Sequence, residues 1–98
     1  MKENPNYYAI ISAEVRYDKN LTANAKLLYA EITALLNMNG ECFATNKYFS
    51  NLYGKSVVTI SKWISELISN GYISSTYKYK EGTKEIDRRY LSILKGGI

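Results

Sequence analysis

The chain has 98 residues, enough for one domain rather than two, and it is 46% hydrophobic and 22% charged, as in folded globular proteins. It has no histidine and one cysteine, Cys42, which excludes histidine-dependent nucleophilic catalysis, a disulfide within the chain and a CxxC metal site. Its apolar runs fall well short of the roughly 18–20 residues that cross a bilayer, and residues 1–6 lack the apolar stretch of a secretory signal. We therefore expect a cytoplasmic, non-enzymatic protein without cofactor or metal, a single domain over residues 1–98 whose ends, 1–6 and 95–98, are flexible.

The net charge of +4 is concentrated in one part of the chain. Residues 1–44 hold four basic and five acidic side chains, whereas residues 45–89 hold eight basic and four acidic ones, and Lys95 adds one more positive charge. A basic surface beside a near-neutral one is expected of a protein that binds a polyanion. Lysines that only keep a small domain soluble produce the same composition, so the charge alone leaves both interpretations open.

The first element with a clear pattern is a helix from about Ala23 to Met38. Thr22 is suited to cap it, because a threonine hydroxyl accepts a hydrogen bond from a free backbone N–H of the first turn. Apolar residues at three- and four-residue spacing form one buried stripe, which consists of Ala25, Leu28, Ile32, Leu35 and Leu36. The turn signal Asn39-Gly40 ends the helix.

Two short apolar segments flank this helix. Residues 7–11 predict either a strand or a stretch that packs across the core. Residues 42–44, Cys-Phe-Ala, predict a brief strand in which Cys42 is an inert, buried thiol.

Two further helices follow in quick succession. Thr45 can cap a helix over residues 46–53, and Gly54 suits the left-handed conformation that ends it. Ser56 can cap the next helix, which runs over residues 57–70. The inward side chains of the first are Tyr48, Phe49 and Leu52, and those of the second are Ile60, Trp63, Ile64, Leu67 and Ile68. Two helices joined by a glycine-containing turn of about three residues have the spacing of a helix-turn-helix.

The pattern then changes from helical to alternating. Residues 72–79 and 85–94 alternate β-branched or aromatic residues with polar ones, which is the period-two pattern of strands. The polar loop 80–84 joins them into an antiparallel hairpin. In the second strand, Leu91 and Ile93 share one face and the other face carries Arg88 and Tyr90.

The order of these elements predicts the fold class. A helix, a short strand, a helix-turn-helix and a hairpin follow one another along the chain. We expect an α+β fold that is mainly α, namely a winged helix-turn-helix with three helices, a C-terminal β-hairpin wing and a short strand.

Three segments of the chain resemble one particular family. Residues 20–29 (NLTANAKLLY), 42–46 (CFATN) and 53–64 (YGKSVVTISKWI) resemble the winged-helix domain at the N-terminus of replication initiators of low-GC Gram-positive plasmids and phages. Small stand-alone relatives of that domain occur on similar mobile elements, and the resemblance covers residues 7–94. It implies a DNA-binding protein of replication initiation or its regulation, which inserts the second helix of its helix-turn-helix into the major groove. It also implies a wing on the backbone or minor groove, and dimers on repeated sites.

Two features depart from that family. Lys55 stands where the family usually has a small aliphatic residue, and Val57 and Val58 stand where polar or basic residues are more common. The inward residues of the helix are unaffected, so the departures concern DNA readout rather than the fold.

The candidate DNA contacts fall into three groups. If the isoleucines of the second helix face the core, its opposite side can contact DNA through Ser56, Val57, Val58, Thr59, Ser61, Lys62 and Ser65. The turn and the preceding helix contribute Thr45, Asn46, Lys47 and Lys55, and the wing contributes Lys78, Tyr79, Lys80, Lys84 and Arg88. Hydroxyl groups and lysines bond phosphates or base edges, and Val58 can pack on a thymine methyl group.

Simpler roles and other functions stay open at this point. Val57 and Val58 can be partly buried under the preceding helix, Ser56 can act as a cap alone, and charged hairpin residues can protect an edge strand. One alternative function is a protein-interaction module, in which the two valines and the tyrosine-rich hairpin dock on a replication protein or a second copy. Another is binding of single-stranded DNA, with Tyr77 and Tyr79 stacked on bases. The expected partner is double-stranded DNA, with a homodimer and replication proteins as further candidates and no membrane.

Overall fold

The computed structural model describes residues 8–96, which form four helices followed by a two-stranded antiparallel hairpin. The elements are α1 (Ala13–Arg16), α2 (Ala23–Asn39), α3 (Asn46–Tyr53), α4 (Val57–Ser69), β1 (Ile73–Tyr79) and β2 (Ile86–Ile93). This is the predicted fold class, mainly helical with a helix-turn-helix and a hairpin wing, and it has one more helix than predicted.

Each of the three predicted helices begins at its predicted cap. The hydroxyl oxygens of Thr22, Thr45 and Ser56 accept hydrogen bonds from the backbone N–H three residues further on, at 3.3, 3.0 and 3.1 Å. Gly54 ends α3 with φ at +67°, in the left-handed region that a side chain disfavours. Local signals therefore set the three-residue turn, 54–56, that separates α3 from α4.

One apolar core joins the helices to the base of the hairpin. Every element supplies a fully buried side chain to it, and among them are Val15, Leu28, Phe49, Ile60, Leu67, Ile73 and Leu91. Helix α4 packs against α2, α3 and β1. The core therefore determines which side of α4 faces inward.

The hairpin changes register near its tip. The strands pair continuously from Ile73 opposite Ile93 to Lys78 opposite Arg88. After Lys78 the register shifts, because Asp87 is an extra residue in β2. Such a bulge increases the local twist of a hairpin.

The segments flanking α2 differ in part from the expectation. Residues 8–11 form no strand, and Ile11 instead packs against the core, while Tyr7 lies outside the described residues. The brief strand expected at 42–44 is reduced to one bridge, in which the Leu91 N–H donates to the Cys42 carbonyl at 2.8 Å. Cys42 is buried as predicted, and burial raises the pKa of its thiol. Helix α1 is not predicted by the sequence pattern, because one helical turn is too short to show a period.

The last described residues pack against the body of the domain. The Tyr29 hydroxyl donates to the Lys95 carbonyl at 2.8 Å, and a Cβ on Gly96 would come within 2.7 Å of Val15 Cγ2. The flexibility predicted for residues 95–98 stays a prediction; residues 97 and 98, like residues 1–6, lie outside the described residues. Within residues 8–96, no helix combines the length and apolar character that a membrane span requires.

Candidate nucleic-acid interface

The outer face of α4 carries polar side chains and one valine, Val58. The helical repeat of 3.6 residues turns these side chains away from the buried Ile60, Ile64 and Leu67. The exposed members of this face are Val58, Ser61, Lys62, Ser65 and Ser69. Val57 lies on the same side of the helix as Ile64 and is exposed because it is at the first position of α4. Ile68, which the sequence pattern predicts to face inward, is 41% exposed. The predicted outward orientation of this face is confirmed. Val57 is 47% and Val58 is 63% exposed, so each is only partly buried.

The first turn of α4 is closed by a hydroxyl pair. Ser56 Oγ accepts a hydrogen bond from the Thr59 N–H at 3.1 Å and donates one to Thr59 Oγ1 at 3.0 Å. The capping role of Ser56 is thereby confirmed. Contact of either residue with DNA stays a prediction.

The segment that runs from residue 42 through the first nine residues of α4 is positive and contains no acidic residue. Residues 42–65 contain Lys47, Lys55 and Lys62 and neither aspartate nor glutamate, and all three lysines are exposed. Thr45, at the start of this segment, is exposed and caps α3. The helix-turn-helix therefore presents an uncompensated positive surface, which attracts a polyanion.

Arg89 joins β2 to the start of α3. Its guanidinium donates to Asn46 Oδ1 and to the Ala44 carbonyl, both at 2.7 Å. Burial lowers the pKa of Arg89. Asn46, a predicted DNA contact, thus has its side-chain oxygen engaged within the domain. The sequence analysis missed Arg89, although strand alternation places it on the same inward face as Leu91.

Glu66 holds α4 against the start of α2. Its carboxylate accepts hydrogen bonds from the Thr22 backbone N–H and, at 3.1 Å, from the Thr22 hydroxyl. Thr22 is also the cap of α2, so one residue ties the two helices together. These partners lie 44 residues apart, and no local pattern predicts their contact. The interaction engages the one acidic side chain of α4, which leaves the outer face of that helix without a free carboxylate.

The candidate wing residues are all exposed near the tip of the hairpin, and they are Lys78, Tyr79, Lys80, Lys84 and Arg88. Lys78 lies directly opposite Arg88 in the ladder, where like charges repel and destabilise the pair. The Lys80 ammonium lies 3.4 Å from the Glu85 carboxylate, an exposed ion pair of small energetic value. The positive side chains of Lys78 and Arg88 thus lie side by side near the tip, each with the other as its partner in the ladder.

Arg88 is positioned by an aromatic side chain of the 42–44 segment. Its guanidinium carbon lies 4.4 Å from the Phe43 ring centroid, and Phe43 meets Tyr90 edge-on with centroids 6.3 Å apart. Strand alternation puts Arg88 and Lys78 on the outer face of the hairpin and Arg89 on the inner face. Arg88 is therefore exposed on the Phe43 ring, whereas Arg89 is hydrogen-bonded inside the domain.

Trp63 and the acidic side chains are further chemistry-bearing groups. Trp63 is half-buried and lies edge-on to Tyr53 at 6.3 Å, in the contact between α3 and α4. Among residues 8–96, no three His, Cys, Asp or Glu side chains are grouped so as to hold a metal ion. What the structure assembles is a positive, partly apolar outer face on α4 and a basic hairpin tip.

Comparison with known proteins bears on this arrangement. A family model described as a helix-turn-helix domain matches residues 19–73, more than half of the chain, from just before α2 to the first residue of β1. Neither the curated proteins nor the solved structures give a significant match. The matched span contains α2, α3 and α4, the turn between α3 and α4, and the caps of all three helices. The chain therefore belongs to the family of helix-turn-helix domains, which are DNA-binding domains.

Proposed function

We propose that the protein binds double-stranded DNA without catalytic activity, with the outer face of α4 in the major groove and the hairpin tip on the phosphate backbone. The observation that carries this proposal is the exposed face of α4, where Ser61, Lys62 and Ser65 project from an acid-free segment. In helix-turn-helix proteins the N-terminal part of the second helix contacts base edges. Within residues 8–96, the side chains of Val57, Val58, Ser61 and Lys62 in that part of α4 are exposed.

The groups on and around α4 divide into base and phosphate contacts. Lys62 bonds a guanine edge or a phosphate, and Ser61 and Ser65 donate to or accept from bases. The residues that flank the groove contact phosphates, and they are Thr45, Asn46, Lys47, Lys55, Ser56 and Thr59. The phosphate contacts set the position of α4, and the base contacts set its preference for sequence.

The hairpin tip forms a second phosphate-binding element. The ladder holds Lys78 and Arg88 opposite one another, and an anion between them relieves their repulsion. The phosphate groups of DNA supply that anion. Lys80 and Lys84 extend the same positive surface into the loop, with Tyr79 beside them.

Fluorescence anisotropy with a labelled duplex at several salt concentrations tests the proposal. If about four to six phosphates are neutralised per protomer, the logarithm of the affinity falls against the logarithm of salt concentration with a slope of about −4 to −5. Lys62→Ala and Lys80→Ala each weaken binding, whereas Lys19→Ala, which removes an exposed lysine from the near-neutral part of the chain, does not. A flat salt response would contradict the proposal.

We further propose that DNA binding serves replication initiation or its regulation on a plasmid, phage or other mobile element. The support is the resemblance of residues 20–29, 42–46 and 53–64 to the winged-helix domain of such initiators. Selection of sites from random duplexes is expected to enrich an inverted or direct repeat that binds two protomers. The same repeat is expected at a replication origin of the element that encodes the protein. Enrichment of an unrepeated site, bound by a single protomer, would contradict the dimeric part of this proposal.

Binding of single-stranded DNA is a second candidate, favoured by the exposure of Tyr77 and Tyr79. These side chains are 51% and 54% exposed beside the lysines of the hairpin, where bases can stack on them. Competition between unpaired and duplex oligonucleotides separates the candidates. A preference for the unpaired strand that is lost in Tyr79→Ala would favour this function over duplex binding.

An assembly role is a third candidate, favoured by the exposure of Val57 and Val58. In that case the valines dock on a replication protein or on a second copy of the chain. Size-exclusion chromatography with light scattering, on the wild type and on Val58→Asp, tests it. Loss of assembly with unchanged affinity for DNA would assign the valines to a protein interface.

A further inference from the structure

Val57 and Val58 are large apolar side chains that the fold does not use. They are 47% and 63% exposed, and neither belongs to the core cluster nor to the partly buried residues packed against it. Valine is also less favourable than alanine in a helix, because its branched side chain loses rotational freedom there. Neither burial nor helix formation therefore explains two consecutive valines in the first turn of α4.

The hydrogen-bonding groups of α4 are few. Between Val57 and Ser69 the helix has no arginine, asparagine or glutamine, the residues that make bidentate hydrogen bonds to guanine or adenine. Its one basic residue is Lys62, and its one acid, Glu66, is bonded to Thr22. The side chains that the first turn of α4 exposes to a base pair are therefore mainly the two isopropyl groups of Val57 and Val58.

The apolar group that DNA presents in the major groove is the 5-methyl group of thymine. We infer that Val57 and Val58 contact thymine methyl groups, so that the protein selects duplexes with thymine opposite the first turn of α4. A cytosine there carries hydrogen in place of the 5-methyl group, so the apolar contact is lost. This inference rests on the proposed binding of α4 in the major groove.

The surroundings of the valines favour DNA over a protein as the partner. Val58 lies one turn before Lys62 on the same face of α4, and Val57 lies one turn before Ser61. An apolar protein surface that covered Val58 would also remove the Lys62 ammonium from water. In the major groove the same lysine reaches a guanine edge or a phosphate. The absence of acidic residues from 42–65 suits the negative potential of DNA.

Replacing thymine by deoxyuridine tests the inference, since this change removes one methyl group and alters nothing in the protein. A duplex that carries the selected site is substituted one thymine at a time, and its affinity is measured by fluorescence anisotropy. At the positions facing Val57 and Val58, we expect binding to weaken about three- to fivefold, the effect of exposing one buried methyl group. Thymines elsewhere in the site are expected to tolerate the change.

A matched pair of variants assigns the effect to a side chain. Val58→Ala is expected to bind thymine and deoxyuridine duplexes with equal affinity at one position, because the partner of the methyl group is gone. Leu27→Ala, which trims an exposed aliphatic residue on α2, is expected to keep the wild-type preference for thymine. Circular dichroism of both variants is expected to match that of the wild type, since both side chains are exposed.

The outcomes separate this inference from the proposed function. Tight duplex binding that no deoxyuridine substitution weakens would overturn the thymine readout and leave DNA binding by α4 intact. Failure to bind any duplex, even at low salt, would overturn the proposed function and this inference with it. A thymine preference that survives in both Val57→Ala and Val58→Ala would also overturn the assignment to these valines.

Discussion

At the base of the hairpin Ile73 faces Ile93 against the core, whereas at the tip Lys78 faces Arg88 in solvent. One continuous ladder joins the two ends, so the backbone hydrogen bonding is alike and the side chains make the difference. Burial of apolar surface stabilises the base, and like charges weaken the tip. We therefore expect changes at the base to alter the free energy of unfolding, and, under the proposed function, changes at the tip to alter the affinity for DNA.

Leu91→Ala is expected to have the largest effect on stability. Leu91 is buried at the base, and its backbone N–H bonds the Cys42 carbonyl. Its truncation leaves a cavity and lowers the free energy of unfolding by about 2–5 kcal/mol, measured by urea denaturation. Lys84→Ala, at the tip, is the control and changes that free energy by less than about 0.5 kcal/mol. Equal losses in the two variants would remove the contrast between base and tip.

Arg88 and Arg89 are neighbours in β2 and repeat the contrast between tip and base, since Arg88 is exposed and Arg89 is half-buried. Arg89→Ala leaves Asn46 Oδ1 and the Ala44 carbonyl without their donor, so we expect a loss of about 1–3 kcal/mol in the free energy of unfolding. Arg88→Ala removes an exposed cation–π contact with Phe43 worth about 0.5–1 kcal/mol. Binding of DNA by the folded proteins is expected to show the reverse order. If Arg89→Ala weakens DNA binding more than Arg88→Ala under conditions where both are folded, the assignment of the two faces is wrong.

The pH dependence of stability tests a polar contact just before β1. The Tyr72 hydroxyl donates to Asp18 Oδ2 at 2.5 Å, and this bond holds the pKa of Asp18 below its ordinary value of 3.8. The stabilisation is therefore present above pH 3.8 and is lost as the pH falls through the lowered pKa. Burial, with the bond to Asp18, raises the pKa of Tyr72 from 10.0 to about 12, so stability is also lost as the pH rises through that range.

Urea midpoints of the wild type and Asp18→Asn, measured from neutral to acid pH, check the acid limb. The wild type is expected to be more stable at neutral pH, and the difference is expected to shrink below pH 3.8. A difference that stays constant with pH would show that the carboxylate does not stabilise the fold through its charge.

The smallest expected change in stability is that of Lys78→Ala. Removal of one positive charge opposite Arg88 relieves repulsion, so the free energy of unfolding rises by a few tenths of a kcal/mol at low salt. The gain is expected to disappear at high salt, where exposed charges are screened. Thermal unfolding at two salt concentrations measures it, and a destabilised variant at low salt would contradict the repulsion.

Helices α2, α3 and α4 and their starts could be predicted because their signals are local. Thr22, Thr45 and Ser56 each bond a backbone N–H three residues away, so the cap and its partner stand together in the sequence. The outward face of α4 follows from the same kind of signal, since it is the complement of the buried stripe that contains Ile60 and Ile64.

The contacts that hold these elements together could not be predicted in the same way. Glu66 bonds Thr22 across 44 positions and Tyr72 bonds Asp18 across 54, and no spacing rule links residues so far apart. The bulge after Lys78 is a feature of how the two strands pair, and no glycine or proline in β2 marks its position. The exposure of the candidate residues on α4 was therefore predictable from local pattern, and the contacts of Asn46 with Arg89 and of Arg88 with Phe43 were not.

The central claim is that α4 and the hairpin tip contact the same duplex, and the salt dependence of binding by a double variant tests it most directly. Lys62→Ala and Lys78→Ala are each expected to lower the magnitude of the slope of log affinity against log salt by about 1, and the double variant by about 2. If either lysine can be removed without changing the affinity or the slope, as expected for Lys19→Ala, the helix and the wing do not bind one duplex together.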